Sequence, residues 1–388
     1  MQAGKTVFAQ LMDFIPMHEF RRCVNRNRGN YKVSTFSGWD QFLCMAFAQL
    51  AGRPSLREIE ICLRALGSRL YHTGLRGHVS RSTLADANET RDHRIYADLA
   101  QVLIATAHSW YADENFGVEL QQTVYALDCT TLDRCLSLFP WARYRAQNAA
   151  VKMPTLLDLE GNIPAFVAVQ PAKIHELHLL DELLLEPRSI YLMDRAYLDF
   201  ARLYTLQRAL AFFVIRARKD FSFHRLASLP VDKTTGLRCD QTIRLKSFYP
   251  AKSYPGTLRR IRYHDAETDK ILIFLTNNFS LPTLTIPQLY KCCWQVELFF
   301  KWIKQHLRIK RFYGLSPNAV KTQIWIAIAV YVLLAIVRKR LRLELNLYQM
   351  SQILNLSLFE KRPLLQAFSQ ENRADELETS RNQLNLFD

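Results

Sequence analysis

Apolar positions along the first 118 residues recur every three or four places, the spacing of helices with one buried face. Ser37 precedes a run through Phe42, Met45, Ala46 and Leu50, which Gly52 and Pro54 break. Ser55 followed by Glu58 is a capping-box pattern, opening a helix through Ile59, Cys62, Leu63 and Leu66. Gly67, Gly74 and Gly77 mark a loop, and Ser80 or Ser82 starts a further helix. Near Thr123 the period changes. Tyr125 to Asp128, Asp133 to Leu138 and Pro154 to Leu159 are short runs of strand formers, and Gly161-Asn162 turns the chain into Ile163 to Val169. A helix through Leu177, Leu180 and Leu184 follows, then a strand from Ile190 to Asp194, a helix near Phe200 to Ala209 and a strand from Phe212 to Ile215. Strands first and strand–helix alternation afterwards predict an α/β fold, a mixed sheet covered by helices. From about Phe221 to Leu281 the pattern is β-rich, as in an all-β insertion. A long helix then begins near Pro287. Ile324 to Val337 carries no charge, but this run is shorter than the roughly 20 apolar residues of a membrane span, and Lys321 and Arg338 bound it. It is expected to be a buried helix, with no membrane partner.

Charge narrows the partners. The 388 residues hold 51 Lys+Arg against 36 Asp+Glu, a net +15, which predicts attraction to a polyanion such as nucleic acid. With 49% apolar and 22% charged residues the composition is that of a globular chain, which excludes disorder and fibres. Eight scattered cysteines form neither a zinc spacing nor a disulfide framework and fit free thiols in a reducing cytoplasm. The first apolar stretch is interrupted by Lys5, Gln10 and Asp13, so no secretory signal is expected. Arg53, Arg57, Arg64, Arg69, Arg76 and Arg81 gather around the short N-terminal helices. They suit a helix-turn-helix-like DNA reader with the helix after Ser80 in the groove, or a solvated basic face. Residues 221–263 hold nine more cations, Arg225, Lys233, Arg238, Arg244, Lys246, Lys252, Arg259, Arg260 and Arg262, against Asp232 and Asp240. Those strands suit a phosphate backbone, or a sheet edge blunted by charge.

Two carboxylates stand where strands leave the sheet: Asp128 closes Tyr-Ala-Leu-Asp, and Asp194 closes Ile-Tyr-Leu-Met-Asp before Arg195. On neighbouring strands they would repel each other unless a divalent cation lay between them, and oxygen-only ligands favour Mg²⁺ or Mn²⁺ over zinc. Asp133, Asp158 and Asp199 are rival carboxylates with an ordinary turn or capping reading. On the long helix Tyr290, Trp294, Glu297, Lys301, Lys304, Arg308 and Arg311 recur at three- or four-residue steps and share a face, while Val296, Phe299, Phe300, Ile303 and Leu307 form an apolar stripe. One carboxylate heading a cationic stripe suits a metal ligand whose substrate phosphates continue along the lysines and arginines.

Asp128, Asp194 and Glu297 together with this helix resemble the DDE transposases of bacterial insertion sequences. The helix is similar to the family-four (YREK) signature at Tyr290, Cys293, Glu297 and Lys304, with Cys293 in place of the signature arginine and Lys291 as its possible stand-in. The resemblance implies an RNase H-like mixed sheet flanked by helices. It divides the chain into an N-terminal helical DNA-binding region (1–118), a catalytic core in two parts (119–220 and 283–345), the β insertion (221–282) and a C-terminal helical region with a polar tail (346–388). It also implies cut-and-paste transposition by two-metal-ion hydrolysis and strand transfer, with two Mg²⁺, or Mn²⁺ as substitute, at Asp128, Asp194 and Glu297. DNA ends and target DNA would meet Tyr290, Trp294, Lys301, Lys304, Arg308, Arg311, Arg195, Arg76 and Arg81, with a homodimer in the synaptic complex. Trp294 suits stacking on an unpaired base, or a core position. The alternative is a weakened relic acting as a DNA-binding repressor. The last residues, Gln383, Leu384, Leu386 and Phe387, resemble the peptide by which bacterial replication proteins dock on the sliding clamp. A cytoplasmic, nucleoid-associated bacterial protein is expected.

Overall fold

The computed structural model describes residues 4–75, 77–112, 114, 116–132, 143–145, 148–149, 151–218, 221–306 and 312–369. Arg76, Arg308, Arg311, the strand expected at 133–138 and the tail at 383–388 lie outside these described residues. The chain divides into two compact units, Met1–Trp110 with Trp302–Asp388, and Tyr111–Lys301.

The first unit opens with helices α1 (Val7–Met12), α2 (Met17–Arg26), α3 (Gly38–Leu50), α4 (Leu56–Ala65), α5 (Arg81–Thr90) and α6 (Arg94–Tyr111). Ser37 caps α3 in a complete capping box with Asp40, Ser55 caps α4 through the Glu58 amide, and Ser80, not Ser82, caps α5. Arg91 is buried where α5 ends and donates to the carbonyls of Gly29, Phe36 and Ser37 and to Gln41 Oε1 at 2.6–3.2 Å. Arg64 pairs with Glu60 at 2.9 Å, while Arg57 and Arg81 are exposed.

In the second unit nine strands form the main path of one sheet: β1 (Val124–Leu132), β2 (Val151–Asp158), β3 (Ile163–Val167), β4 (Ile190–Met193), β5 (Phe212–Arg216), β6 (Phe223–Leu229), β7 (Leu237–Leu245), β8 (Leu258–Asp265) and β9 (Lys270–Thr276). Their order is β3-β2-β1-β4-β5-β9-β8-β7-β6. Strands β3, β2 and β1 are antiparallel, and β4 and β5 then run parallel to β1. That is the RNase H-like order. Four residues, 159–162, join β2 to β3, and Gly161 and Asn162 take φ of 76° and 56°, the left-handed backbone that Gly and Asn tolerate best. Any side chain at Gly161 would also run into the Tyr111 ring. The insertion is not a separate sheet: β9 pairs antiparallel with β5, and β8, β7 and β6 continue outward from it.

Helices α7 (Leu179–Glu182), α8 (Phe200–Arg208) and α9 (Phe248–Ser253) accompany the sheet. Leu179, Leu203, Leu206 and Tyr254 join Leu127, Met193, Phe213, Ile243, Leu258 and Leu275 in one apolar core. Alternation along the strands sends Ala126, Asp128, Val214 and Phe274 to the opposite face. There α10 (Thr285–Cys292) packs on β4 and β5, and α11 (Trp294–His306) follows. Returning to the first unit, α12 (Pro317–Arg340) is nearly all buried from Ala319 to Val337 against α3, α5 and α13 (Leu347–Ser357), and α14 (Leu364–Phe368) closes the described chain. The uncharged run is thus a buried helix.

Four expectations need correction. Asp128 does not end its strand: β1 continues to Leu132 because β2 keeps pairing with it down to Val151. The helix expected from Pro287 is two helices, broken at Cys293, whose amide bonds back to Tyr290 O. The helix through Leu177, Leu180 and Leu184 shrinks to a 3₁₀ turn and α7, since Leu183 turns extended; Leu184 is left 97% exposed. Arg259 is no exposed phosphate contact: it is buried and bonded to Asp240 at 2.6 Å. Of its basic neighbours, Arg225, Arg238, Arg244, Lys246, Lys252 and Arg262 are exposed.

Candidate active site

Parallel pairing builds the site. Leu127 is in register with Met193, so Asp128 and Asp194 are the next residues on adjacent strands, which lie about 4.8 Å apart. Glu297 stands in the first turn of α11, on an exposed position. Burial, then the charges of Glu297, Glu176 and Asp194, push the Asp128 carboxyl up to about 6, opposed by a hydrogen bond from the Cys129 amide. Tyr290 donates to Asp194 Oδ1 at 2.9 Å, and its ring lies 4.9 Å from that of Phe274. Burial and the neighbouring Asp194 hold the Tyr290 hydroxyl protonated well beyond its ordinary range.

Cys293 sits at the break between α10 and α11. Burial raises its thiol first, and the negative charges of Asp128, Asp194 and Glu297 add to it. A neutral thiol therefore stands among the acids where the signature has a cation. Lys291 does not replace that cation. It is ion-paired with Asp265 at 3.3 Å and Glu267 at 3.1 Å, in the turn between β8 and β9. Trp294 is 55% exposed, not part of the core, and Lys301 and Arg195 are also exposed; Lys304 is half-buried. The rivals have ordinary roles: Asp199 caps α8, Asp158 accepts from the Glu160 amide, and Asp133 lies outside the described residues.

Three neighbours of Asp128 were not among the residues expected at the site. Glu176 adds its charge to Asp128 and is itself bonded to Lys152 at 3.0 Å. Tyr197, fully buried, has a hydroxyl without a hydrogen-bond partner among the described residues, within the fields of Cys129, Asp128, Glu176 and Cys293. Thr155, opposite Asp128 on β2, has a buried hydroxyl in the same condition. Tyr197 ends the run Asp-Arg-Ala-Tyr and was visible as a motif, but its aim was not. Glu176 opens the 3₁₀ turn Glu176–His178, and nothing local in its sequence points it at Asp128.

Among the described residues no three His, Cys, Asp or Glu side chains stand at metal-holding distance, and no Lys or Arg pairs with Asp128, Asp194 or Glu297. The donor set still suits a hard divalent cation. It is three carboxylates, one of them desolvated and repelled by the others.

Carboxylates at the centre of an RNase H-like sheet, with a further acid on a flanking helix, are a donor set suited to chemistry on phosphate esters. Residues 119–333 match the family described as "Transposase DDE domain", and residues 3–76 match a domain of unknown function, DUF4372. The chain belongs to the DDE transposases, of the bacterial insertion-sequence type. A putative transposase, y4zB, of Sinorhizobium fredii is 29% identical over 285 residues, 72% of this chain and 78% of that one. A probable transposase for insertion sequence element IS5377 of Geobacillus stearothermophilus is 31% identical over 212 residues, 54% of this chain and 55% of its own. The piggyBac transposase synaptic complex with hairpin DNA is 12% identical with a TM-score of 0.45, over 96% of this chain and 83% of that one.

Proposed function

We infer that the chain cuts DNA at the ends of its own element and joins the freed 3′ ends to target DNA, with Asp128, Asp194 and Glu297 holding two Mg²⁺ ions. What carries this reading is Asp128, whose carboxyl is raised by burial and by the charges of Glu297, Glu176 and Asp194, with no cationic side chain paired to it among the described residues. Held by Asp128, Asp194 and Glu297, Mg²⁺ or Mn²⁺ would supply Lewis-acid activation of an attacking water or 3′-hydroxyl and charge stabilisation of the leaving oxygen. Asp128 is held on its strand with one oxygen tied to the Cys129 amide, and Tyr290 fixes the rotamer of Asp194. Trp294, Arg195, Lys301 and Lys304 border the acids along the chain and would take the DNA backbone and an unstacked base. Arg57 and Arg81 on the capped helices α4 and α5 would read the element ends, two chains bridging two ends. A tail ending in Gln383, Leu384, Leu386 and Phe387 would dock on the sliding clamp; a truncation lacking 383–388 should lose the clamp in a pull-down.

A strand-transfer assay with a pre-cut end tests the reading: joined products are expected, and nicking without joining would leave a plain nuclease. A second reading, a weakened relic that binds ends and represses, is favoured by Cys293 and by Lys291 being engaged elsewhere. It predicts end binding with no cleavage by the wild type in Mg²⁺ or Mn²⁺. In that case Cys293→Arg should restore cutting.

A further inference from the structure

The β insertion does more than add strands: it grips α10 at both ends. Before α10, Arg259 on β8 reaches into the connection 278–283. Its guanidinium donates to Leu281 O at 2.6 Å, to Asn278 O at 3.4 Å and to Thr283 Oγ1 at 3.0 Å, while bonding Asp240 at 2.6–3.2 Å. Thr283 closes the ring by donating to Asp240 Oδ2 at 2.6 Å. Asn278 Oδ1 accepts the amides of Ser280 and Leu281, so the connection has little freedom left. Both charges are buried, Arg259 at 4% and Asp240 at 1% exposure. At the other end Lys291 is tied to Asp265 and Glu267. Between the two grips, Phe274 of β9 supports the Tyr290 ring, and Tyr290 holds Asp194.

We propose that Arg259 is a positioning residue for the acid site: by locking the connection into α10 it sets where the Tyr290 hydroxyl stands and so which way the Asp194 carboxylate faces. The insertion is then a strut of the site as well as a surface. A buried ion pair of this kind adds little to stability compared with apolar packing, but it specifies one geometry when every donor is satisfied. Each guanidinium nitrogen here has an acceptor, and the planar fork cannot be copied by a lysine. The inference rests on the proposed metal chemistry only for what Asp194 does, not for how it is held.

The test uses the full chain with Arg259→Lys, and with Lys291→Gln as a surface-exposed second variant that leaves the buried ring intact. In metal-free protein, hydrogen exchange over 285–292 should quicken about tenfold in Arg259→Lys and less in Lys291→Gln, with β1 and β4 unchanged. Unchanged exchange in that segment would overturn the proposal whether or not the chain takes metal. Mn²⁺ affinity and cleavage should fall together in Arg259→Lys while KM for DNA stays put. Adding Tyr290→Phe should then cost less than about twofold more, because both changes free the same carboxylate. Losses that multiply would show Arg259 acting only on overall stability and would refute the link to Asp194. A wild type that neither binds Mn²⁺ nor cuts would count against the proposed function, with the exchange result still deciding this one.

Discussion

Helix α12 and the α10–α11 pair make an instructive contrast. Helix α12 runs unbroken for 24 residues, capped by Ser316 with Pro317 in its first turn, and ends in Arg338, Lys339 and Arg340 where its dipole is negative. Its apolar side chains are buried on all sides and little is asked of it beyond packing. The α10–α11 pair breaks after eight residues, at a half-buried cysteine, and places a tyrosine and a glutamate among like charges. Where only burial matters, local propensity, capping and tertiary packing agree. Where the acids meet, repulsion and orphan hydroxyls persist because the surrounding sheet over-determines them.

The largest effect should separate chemistry from stability at one residue. Asp128→Asn should lower strand cleavage by at least about a thousandfold, ~4 kcal/mol on the barrier. The same change should stabilise the chelator-treated protein. The folded-state carboxyl is raised to about 6. Its contribution to stability is therefore complete below about pH 4 and is lost as pH rises through about 6. Asparagine cannot ionise, so urea melts of the two proteins should diverge from pH 4 to pH 7.5 by up to ~3 kcal/mol. A gap that does not change with pH would mean that Asp128 is not held against its neighbours' charge. Next comes α12: Leu333→Ala, at a fully buried position, should cost about 3 kcal/mol by cavity formation and leave the pH response of the site untouched. Thermal melts read this directly, and a loss under about 1 kcal/mol would mean that the helix is less tightly packed than its burial implies. Smallest is Trp294→Ala. With 55% of the residue exposed, stability should move by no more than about 0.5 kcal/mol, whereas affinity for DNA carrying an unpaired base should weaken. Equal binding to paired and unpaired ends by wild type and variant would remove base stacking from the account of this residue.

The outcome of the sequence reading follows the same division. Caps at Ser37 and Ser55, a helix start at Ser80 or Ser82 and the turn at Gly161-Asn162 were legible because each depends on residues close in sequence. The broken helix at Cys293 was not, since 3.6-residue spacing continues across it and only the tertiary setting of Tyr290 against Asp194 and Phe274 marks the joint. Arg259 looked like any other cation of a basic strand; Asp240, 19 residues earlier, reaches it only through the pairing of β7 with β8. Glu176 and Tyr197 were missed for the same reason. Their relation to Asp128 runs through space.

By itself, the order of residues determined the alternation of strands and helices, the burial of α12, the basic surplus and the three acids that carry the family likeness. Those are properties of composition and short-range period, which local sterics and solvent transfer translate directly into structure. Only the tertiary structure decided that the insertion continues the catalytic sheet and braces α10, that Lys291 turns to Asp265 and Glu267 instead of the site, and that Cys293 stands among the acids. Each of these depends on which distant strands pair and on which buried charge finds its counter-charge, and both are settled by packing of the whole chain.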